Sequence, residues 1–519
     1  MTIRHAREHV YDAVIVGAGF GGIGVAIELQ KLDLNDFVIL ERADDVGGTW
    51  RDNTYPGLEV DIPSFTYSYK FEPKVWSAVY ARGAEVQEYA QHCATKYGIR
   101  PHIRFGQTVV RAEWDETSAV WTAQLATGDE VRARFLIDSS GFLSGPKLPN
   151  IEGIEQFEGK MMHTARWDHD YDLDGKRVGL IGTGATGIQV GPAIADRVAH
   201  LSIYQRHAIW CAPKPNHTYG PITKRLMAVA PRTQRVLRAA NFAASEVFFG
   251  LGFVNYQRVP GIFTWCEGAM DRWMRGKIED PQLQEALAPD YTFVCKRPAL
   301  SNVFYPMFNH DDVDLVTTPI SHVTRTGIAT TDGDERELDV IICATGFKVF
   351  DRSTSPSFEV VGKRGKNLGD WWDVNRYQAF GGVSIYDFPN FFMINGPYAA
   401  IGASFFDILD SSATHISRLL REARRRGAWV IEVTQAAQER HMARIRRRAP
   451  RMVLYAGNCA SSNTYYFDRH GDSPAAPAPS SPTENFWRTR FFRLSAYRFS
   501  AQPIRNVNTH SDERKVRGL

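Results

Sequence analysis

Three stretches hold the residues best placed to do chemistry: Gly17-Ala18-Gly19-Phe20-Gly21-Gly22, then Phe157-Glu158-Gly159-Lys160-Met161-Met162-His163-Thr164-Ala165-Arg166-Trp167-Asp168, then Gly182-Thr183-Gly184-Ala185-Thr186-Gly187. In a GxGxxG loop the first glycine (Gly17, Gly182) allows a tight turn. The second (Gly19, Gly184) lets backbone approach a pyrophosphate, and the third (Gly22, Gly187) lets helix and strand pack closely. A helix starting there offers free N–H groups and partial positive charge to that anion. One such loop is weak evidence. Two in one chain predict two dinucleotide sites, equipped to pass a hydride from a nicotinamide to a flavin.

The elements around the loops support this. Tyr11-Asp12-Ala13-Val14-Ile15-Val16 reads as a strand, residues 24–32 as a helix and Asp36-Phe37-Val38-Ile39-Leu40 as a second strand. Glu41 follows, 19 residues after Gly22, where a carboxylate meets the ribose of FAD or NAD. The second unit starts with strand Arg177-Val178-Gly179-Leu180-Ile181 and ends at Leu201-Ser202-Ile203-Tyr204-Gln205-Arg206. There a cation stands where the acid would be, which favours NADP, since a guanidinium grips a 2′-phosphate that a carboxylate would repel. Lys296 is a candidate second cation for that phosphate.

Residues 216–289 turn helical and rich in arginine and aromatics, the mark of an insertion. Strand-like Asp339-Val340-Ile341-Ile342-Cys343-Ala344 then returns to the second unit. The expected fold is α/β, with two Rossmann-like dinucleotide-binding domains and a helical insertion. Residues 1–150 and 346–500 would form a discontinuous FAD domain, and 151–215 and 290–345 a discontinuous NADP domain. Residues 473–482 read as an extended loop and 501–519 as a polar, poorly ordered tail.

Bulk composition sets the outer limits. The 519 residues are 44% hydrophobic and 23% charged, with net charge +3, as in an ordinary soluble protein, and nucleic acid is not implied. Six scattered cysteines (Cys93, Cys211, Cys266, Cys295, Cys343, Cys459) contain no CxxC pair, so reduced thiols are expected and no metal site. The first strand begins too near Met1 for a signal peptide, which predicts a cytoplasmic protein. The apolar stretch Ala239 to Val254 is too short to span a bilayer and contains Glu246, so it reads as a buried helix, interfacial contact being the alternative.

Downstream of the first unit comes Gly47-Gly48-Thr49-Trp50-Arg51-Asp52-Asn53-Thr54-Tyr55-Pro56-Gly57-Leu58-Glu59-Val60-Asp61. With Phe157-x-Gly159-xxx-His163-xxx-Trp167-Asp168 it resembles both long signatures of the type I Baeyer–Villiger monooxygenases, FAD- and NADPH-dependent class B flavoproteins. The resemblance runs through Ala344-Thr345-Gly346-Phe347 and Asn395-Gly396-Pro397 to Ser462-Asn463-Thr464-Tyr465-Tyr466. It implies that His163 and Trp167 tie the two nucleotide domains together rather than act as acid or base. It also implies a catalytic Arg297, from the pair Lys296-Arg297, oriented by Asp61. Such a guanidinium would stabilise a C4a-peroxyflavin anion and then the oxyanion of its carbonyl adduct in a dry site.

By the same resemblance Glu41, Thr49, Trp50, Asp52, Asp61, Tyr67, Val109 and Phe406 would border FAD. Gly182 to Gly187, Gln189, Arg206, His207, Lys296 and Arg297 would contact NADP. The implied reaction inserts one oxygen atom from O2 beside a ketone carbonyl to give an ester or lactone. Departures occur after Arg297 (Pro298-Ala299-Leu300-Ser301-Asn302), in Gly396 to Phe406, and at Asp138-Ser139-Ser140-Gly141, where Ala-Thr-Gly is commoner. Alternatives are an N- or S-oxygenating flavin monooxygenase, an NADPH oxidase releasing hydrogen peroxide, or a nucleotide-sensing protein without turnover. Trp210, Trp265, Phe304 and Tyr305 are candidates for an apolar pocket, with core packing the competing reading.

Overall fold

The structure, a computed structural model, describes residues 9–501 apart from 231, 353, 401 and 403. The polar tail expected from the sequence therefore lies almost wholly outside the described residues.

Two sheets carry the two glycine loops. The larger runs in the order Glu359–Val361, Val109–Asp115, Val120–Leu125, Glu130–Asp138, Val10–Val16, Phe37–Leu40, Ile103–Arg104, and Phe391–Met393 also pairs with Glu130–Asp138. Around the first loop it is parallel, with Val16 in register with Leu40 and Asp138. The smaller sheet is parallel throughout, in the order Val313–Val316, His200–Tyr204, Arg177–Ile181, Val340–Cys343, Lys160–His163. Strands such as Phe37–Leu40 and Val340–Cys343 are buried along their whole length. Both faces of the sheets are covered at these parallel strands, which explains their unbroken apolar runs, whereas the antiparallel strand Val109–Asp115 alternates between buried and exposed.

In both units the helix begins inside the glycine loop. The first runs Phe20–Gln30, four residues ahead of the expected start, because Gly21 and Gly22 themselves form its first turn. The second runs Ala185–Ile194. The chain crosses between the sheets twice, and the crossings lie side by side, with Lys147 N–H donating to the Gly346 carbonyl at 2.9 Å. His163 ends the Lys160–His163 strand next to these crossings. Its Nδ1 accepts from Ala165 N–H at 3.0 Å, and its ring meets Phe347 edge-on. Asp168 pairs with Lys160.

The 216–289 region holds helices Pro221–Val229, Arg232–Ser245, Gly261–Arg275 and Pro281–Ala286, joined by a wider π-wound stretch, Glu246–Phe253. Here the reading of Ala239 to Val254 as a buried helix is corrected. Phe253 and Val254 are buried, but Val247 and Leu251 are about half exposed, so only one side of the stretch is covered.

The cysteine expectation is also corrected. Cys295 and Cys459 form a disulfide, with Cα atoms 5.1 Å apart across 164 residues of chain. Sequence distance hid the pairing. The Thr292–Arg297 loop packs on the turn around Asn458, with Thr292 N–H donating to the Asn458 carbonyl at 3.1 Å and Asn458 N–H donating to Thr292 Oγ1 at 3.0 Å. Such a Cα separation suits a disulfide. Among the described residues Cys93, Cys211, Cys266 and Cys343 are free. No described helix is long and apolar enough to cross a membrane.

Candidate active site

At the first loop Gly17 has φ +100°, and a Cβ there would lie 2.5 Å from the Ser139 carbonyl oxygen. A Cβ on Gly22 would lie 2.0 Å from the Gly17 oxygen, a contact that only glycine avoids. On Gly19, by contrast, a Cβ would meet nothing closer than Gly48 Cα at 3.8 Å, so that side of the loop is open. Gly19 also caps its helix without a side-chain hydrogen bond, leaving first-turn N–H groups to face this opening. The space and the donors fit a pyrophosphate.

Glu41, buried at the end of its strand, holds the loop. Its Oε2 accepts from Ala18 N–H at 2.7 Å, and Oε1 accepts from Ala43 N–H at 3.0 Å and from Arg51 at 3.3 Å. An ionised carboxylate has about four acceptor positions, so capacity remains for a ribose hydroxyl.

Thr49 opens the short helix Thr49–Asp52, and Asp52 pairs with Arg51 at 2.7 Å and Arg42 at 3.4 Å. Trp50 Nε1 donates to the Tyr67 hydroxyl at 2.9 Å. Tyr67 in turn meets Phe406 edge-on at 5.0 Å, and Phe406 packs on Phe20 at 4.8 Å. Phe406, in the first turn of Phe405–Arg426, thus closes an aromatic wall over the start of the loop helix. Val109 is buried at the start of its strand on the larger sheet.

The second loop repeats the pattern. Gly182 has φ +109°, and a Cβ there would lie 2.7 Å from the Ala344 carbonyl oxygen, while a Cβ on Gly187 would sit 2.1 Å from the Gly182 oxygen. A Cβ on Gly184 would meet nothing within 4 Å. Ala185 is exposed beside it, Thr183 is buried, and Thr186 stands in the first turn of the helix.

Arg206, exposed just beyond the His200–Tyr204 strand, has no carboxylate within ion-pair distance among the described residues. Lys296 and His207 lie close enough to feel it. Burial, then the Arg206 charge, lowers the Lys296 pKa to about 8. His207 is also lowered, by burial and then by Arg206 and Lys296, with Asp290 partly offsetting them. Three basic groups crowded without a paired acid fit a phosphate.

Gln189 also bridges two parts of the protein. Its Oε1 accepts from the Tyr55 hydroxyl at 3.2 Å and from Glu59 N–H at 3.4 Å, and its Nε2 donates to the Glu59 carbonyl at 3.0 Å. The amide therefore joins the second loop's helix to the segment leading to Asp61.

Asp61 and Arg297, 236 residues apart in the chain, meet side chain to side chain. Arg297 Nε donates to Asp61 Oδ2 at 2.7 Å and Nη2 to Oδ1 at 2.8 Å, a two-pronged pair. Burial alone would raise the Asp61 pKa, but the Arg297 charge and hydrogen bonds, helped by Lys214, bring it below the usual carboxylate range. Asp61 raises that of Arg297 well above its usual value. The arginine side chain is still 46% exposed, so it is not locked in a core.

Sequence reasoning missed some neighbours. Tyr465 and Tyr466, with rings 4.9 Å apart, stand beside Arg297 and within reach of its field. Lys214 is held by Glu59 at 2.6 Å. The adjacent tyrosines were a usable signal; nothing in the spacing marked Lys214. Of the aromatics weighed between an apolar pocket and core packing, Trp210, Phe304 and Tyr305 are buried in the core and Trp265 is largely exposed.

The fold and these two loops define a two-dinucleotide oxidoreductase. Residues 14–246 match the family model described as pyridine nucleotide-disulphide oxidoreductase. A Baeyer-Villiger monooxygenase of Streptomyces coelicolor is 36% identical over 468 residues, 90% of this chain and 88% of that protein. A cyclohexanone 1,2-monooxygenase of Acinetobacter sp. is 32% identical, covering 83% of this chain and 85% of its own. Among solved structures, an oxidised steroid monooxygenase bound to NADP superposes with TM-score 0.84 at 30% identity, over 95% of this chain and all of that one. The chain belongs to the Baeyer–Villiger monooxygenase family.

Proposed function

We propose that this protein is an NADPH-dependent Baeyer–Villiger monooxygenase that holds FAD at the Gly17–Gly22 loop and NADPH at the Gly182–Gly187 loop and converts a ketone into an ester or lactone. The observation that carries this reading is the two-pronged Arg297–Asp61 pair, whose carboxylate acts on Tyr67 of the first loop's aromatic wall and on Tyr55, bonded to Gln189 in the second loop's helix. Bound together, FAD and NADPH supply the hydride and the activation of O2.

The chain's own part is to bind, orient and stabilise. Glu41 and the first-turn N–H groups of Phe20–Gln30 hold the FAD ribose and pyrophosphate. Arg206, His207 and Lys296 hold the 2′-phosphate that separates NADPH from NADH. Asp61 fixes the direction of the Arg297 guanidinium, so charge developing on a substrate oxygen meets a donor that has no need to reorganise. Such fixed positive charge suits attack on a carbonyl. A sulfur or amine nucleophile would not need it, which sets the N- and S-oxygenase alternative below this one. Cytoplasmic location and a ketone with O2 as partners belong to the same proposal.

Arg297→Ala should lower ketone oxygenation by about 10²- to 10³-fold, the usual loss on removing one preorganised stabiliser, while bound FAD stays yellow. Ester yield per NADPH by gas chromatography, with the flavin spectrum, decides this. An Arg297→Ala protein that forms ester at the wild-type rate contradicts the assignment.

A further inference from the structure

The helical hairpin Pro221–Val229 and Arg232–Ser245 is amphipathic in the reverse sense. In the first helix Ile222, Leu226 and Val229, spaced i, i+4, i+7, are 85%, 51% and 73% exposed, and Met227 is buried. The second helix turns polar groups inward. Gln234 is buried, and Arg238 donates to the Phe65 carbonyl at 2.6 Å and to the Ser68 carbonyl at 2.5 Å. Its opposite side carries Val236, Ala240 and Ala243, all exposed, and continues through Val247 in the π-wound turn. A helix packed only for the core of its own chain places these two sets the other way round.

Charge identifies the occupant of this face. Between Arg197 and Ser245 the chain contains no aspartate or glutamate, while Lys224, Arg225, Arg232 and Arg235 sit on the hairpin, the three arginines exposed. The two helices thus carry apolar stripes bordered by cations with no acid among them, and the first acid beyond them, Glu246, is engaged by the protein, accepting from Thr483 N–H at 2.8 Å. Such a face complements the headgroups and upper acyl region of an anionic bilayer. A second copy of the same acid-free face would bring like charges together.

We propose that the hairpin of helices Pro221–Val229 and Arg232–Ser245 docks this enzyme peripherally on an anionic lipid surface. Arg238 ties the hairpin to the Phe65–Ser68 turn next to Tyr67, so docking holds the first loop's aromatic wall near the bilayer. The inference is independent of which ketone is oxidised, and it holds or fails separately from the proposed reaction.

The test is co-sedimentation of the FAD-loaded protein with phosphatidylcholine vesicles, with and without phosphatidylglycerol, at low and high salt. The wild type should partition onto the anionic vesicles, much less onto neutral ones, and less at high salt. Ile222→Ser, Leu226→Ser and Val229→Ser combined should weaken partitioning about tenfold or more, while Arg225→Gln alone should weaken it about fivefold. These side chains are exposed, so flavin absorbance and turnover of a water-soluble ketone should stay at wild-type levels. The proposal is overturned by equal binding to both vesicle types or by a triple-serine protein that partitions like the wild type. A concentration-dependent dimer in sedimentation velocity that the triple-serine protein loses would also overturn it, because a second copy would then cover the face.

Discussion

In the first loop Gly17 turns against the Ser139 carbonyl, Gly22 rests on the Gly17 oxygen and Gly19 stays open; in the second, Gly182 turns against Ala344, Gly187 rests on the Gly182 oxygen and Gly184 stays open. Even the closing turns correspond, with Ser139 N–H donating to Val16 and Ala344 N–H to Ile181, both at 2.9 Å. The loops differ beyond the next strand. One presents a buried carboxylate, Glu41, and the other a crowded set of cations around Arg206. Backbone geometry in this fold selects for a pyrophosphate, and the side chains beyond it select which dinucleotide supplies it.

The sharpest way to break this equivalence is to add a methyl group where each loop has no room. Gly22→Ala and Gly187→Ala push a Cβ to 2.0 Å and 2.1 Å from a carbonyl oxygen, an overpacking cost of about 3 kcal/mol or more. Gly22→Ala should purify without yellow colour. Gly187→Ala should stay yellow and lose NADPH oxidation about a hundredfold or more. If either exchange struck the other cofactor, the assignment of loops to nucleotides would be reversed.

How much of this was legible follows from which contacts are local. Glycine spacing and Glu41 lie within one βαβ unit, so strand, turn, helix and acid could be read directly. Arg206 was legible as a missing acid. Arg297 and Asp61 meet across 236 residues, and only the resemblance joined them. The Cys295–Cys459 bond and the Gln189 clamp depend on packing between distant segments, and spacing carries no trace of either. The outward apolar face of the hairpin was hidden for another reason: an apolar run reads as core unless its direction is known.

A next difference concerns Asp138, which holds the position that Cys343 holds in the second unit. Burial, against two hydrogen bonds from Ser140, raises its pKa from 3.8 to about 6. Between these values the folded state binds the proton more tightly than the unfolded one. The contribution of Asp138 to stability should therefore be greatest below pH 4, fall toward pH 6 and level off above it. Asp138→Asn keeps an acceptor for Ser140 and should stabilise the protein at pH 7 by up to about 3 kcal/mol, from a shift of roughly two units at 1.36 kcal/mol each. It should give no gain near pH 4. Thermal unfolding at both pH values checks this, and equal gains at both would exclude burial of the charge as the cause.

Removing the cation that distinguishes the second loop should act on one nucleotide only. Arg206→Ala should raise KM for NADPH roughly 10- to 100-fold, the worth of a charged hydrogen bond of about 1.5 to 3 kcal/mol, and leave KM for NADH nearly unchanged. Parallel rises for both would remove the 2′-phosphate from Arg206.

The smallest effect is a titration. Lys296, with a pKa of about 8, is charged below that pH and loses its charge above it. KM for NADPH should therefore climb above pH 8, approaching about tenfold per pH unit, while KM for NADH stays flat. Lys296→Gln should abolish the slope. Asp61 stays ionised across this range because Arg297 holds its pKa low, so the pair contributes no competing limb.

The central claim is that the two loops and Arg297 together deliver oxygen to a carbonyl. It is tested most directly by supplying the yellow protein with NADPH and air, a panel of cyclic, linear and aromatic ketones and one thioether, and measuring ester, sulfoxide and hydrogen peroxide against NADPH consumed. Ester or lactone formed in step with NADPH for at least one ketone is the predicted result. Peroxide alone, or sulfoxide without ester from any ketone, would contradict it.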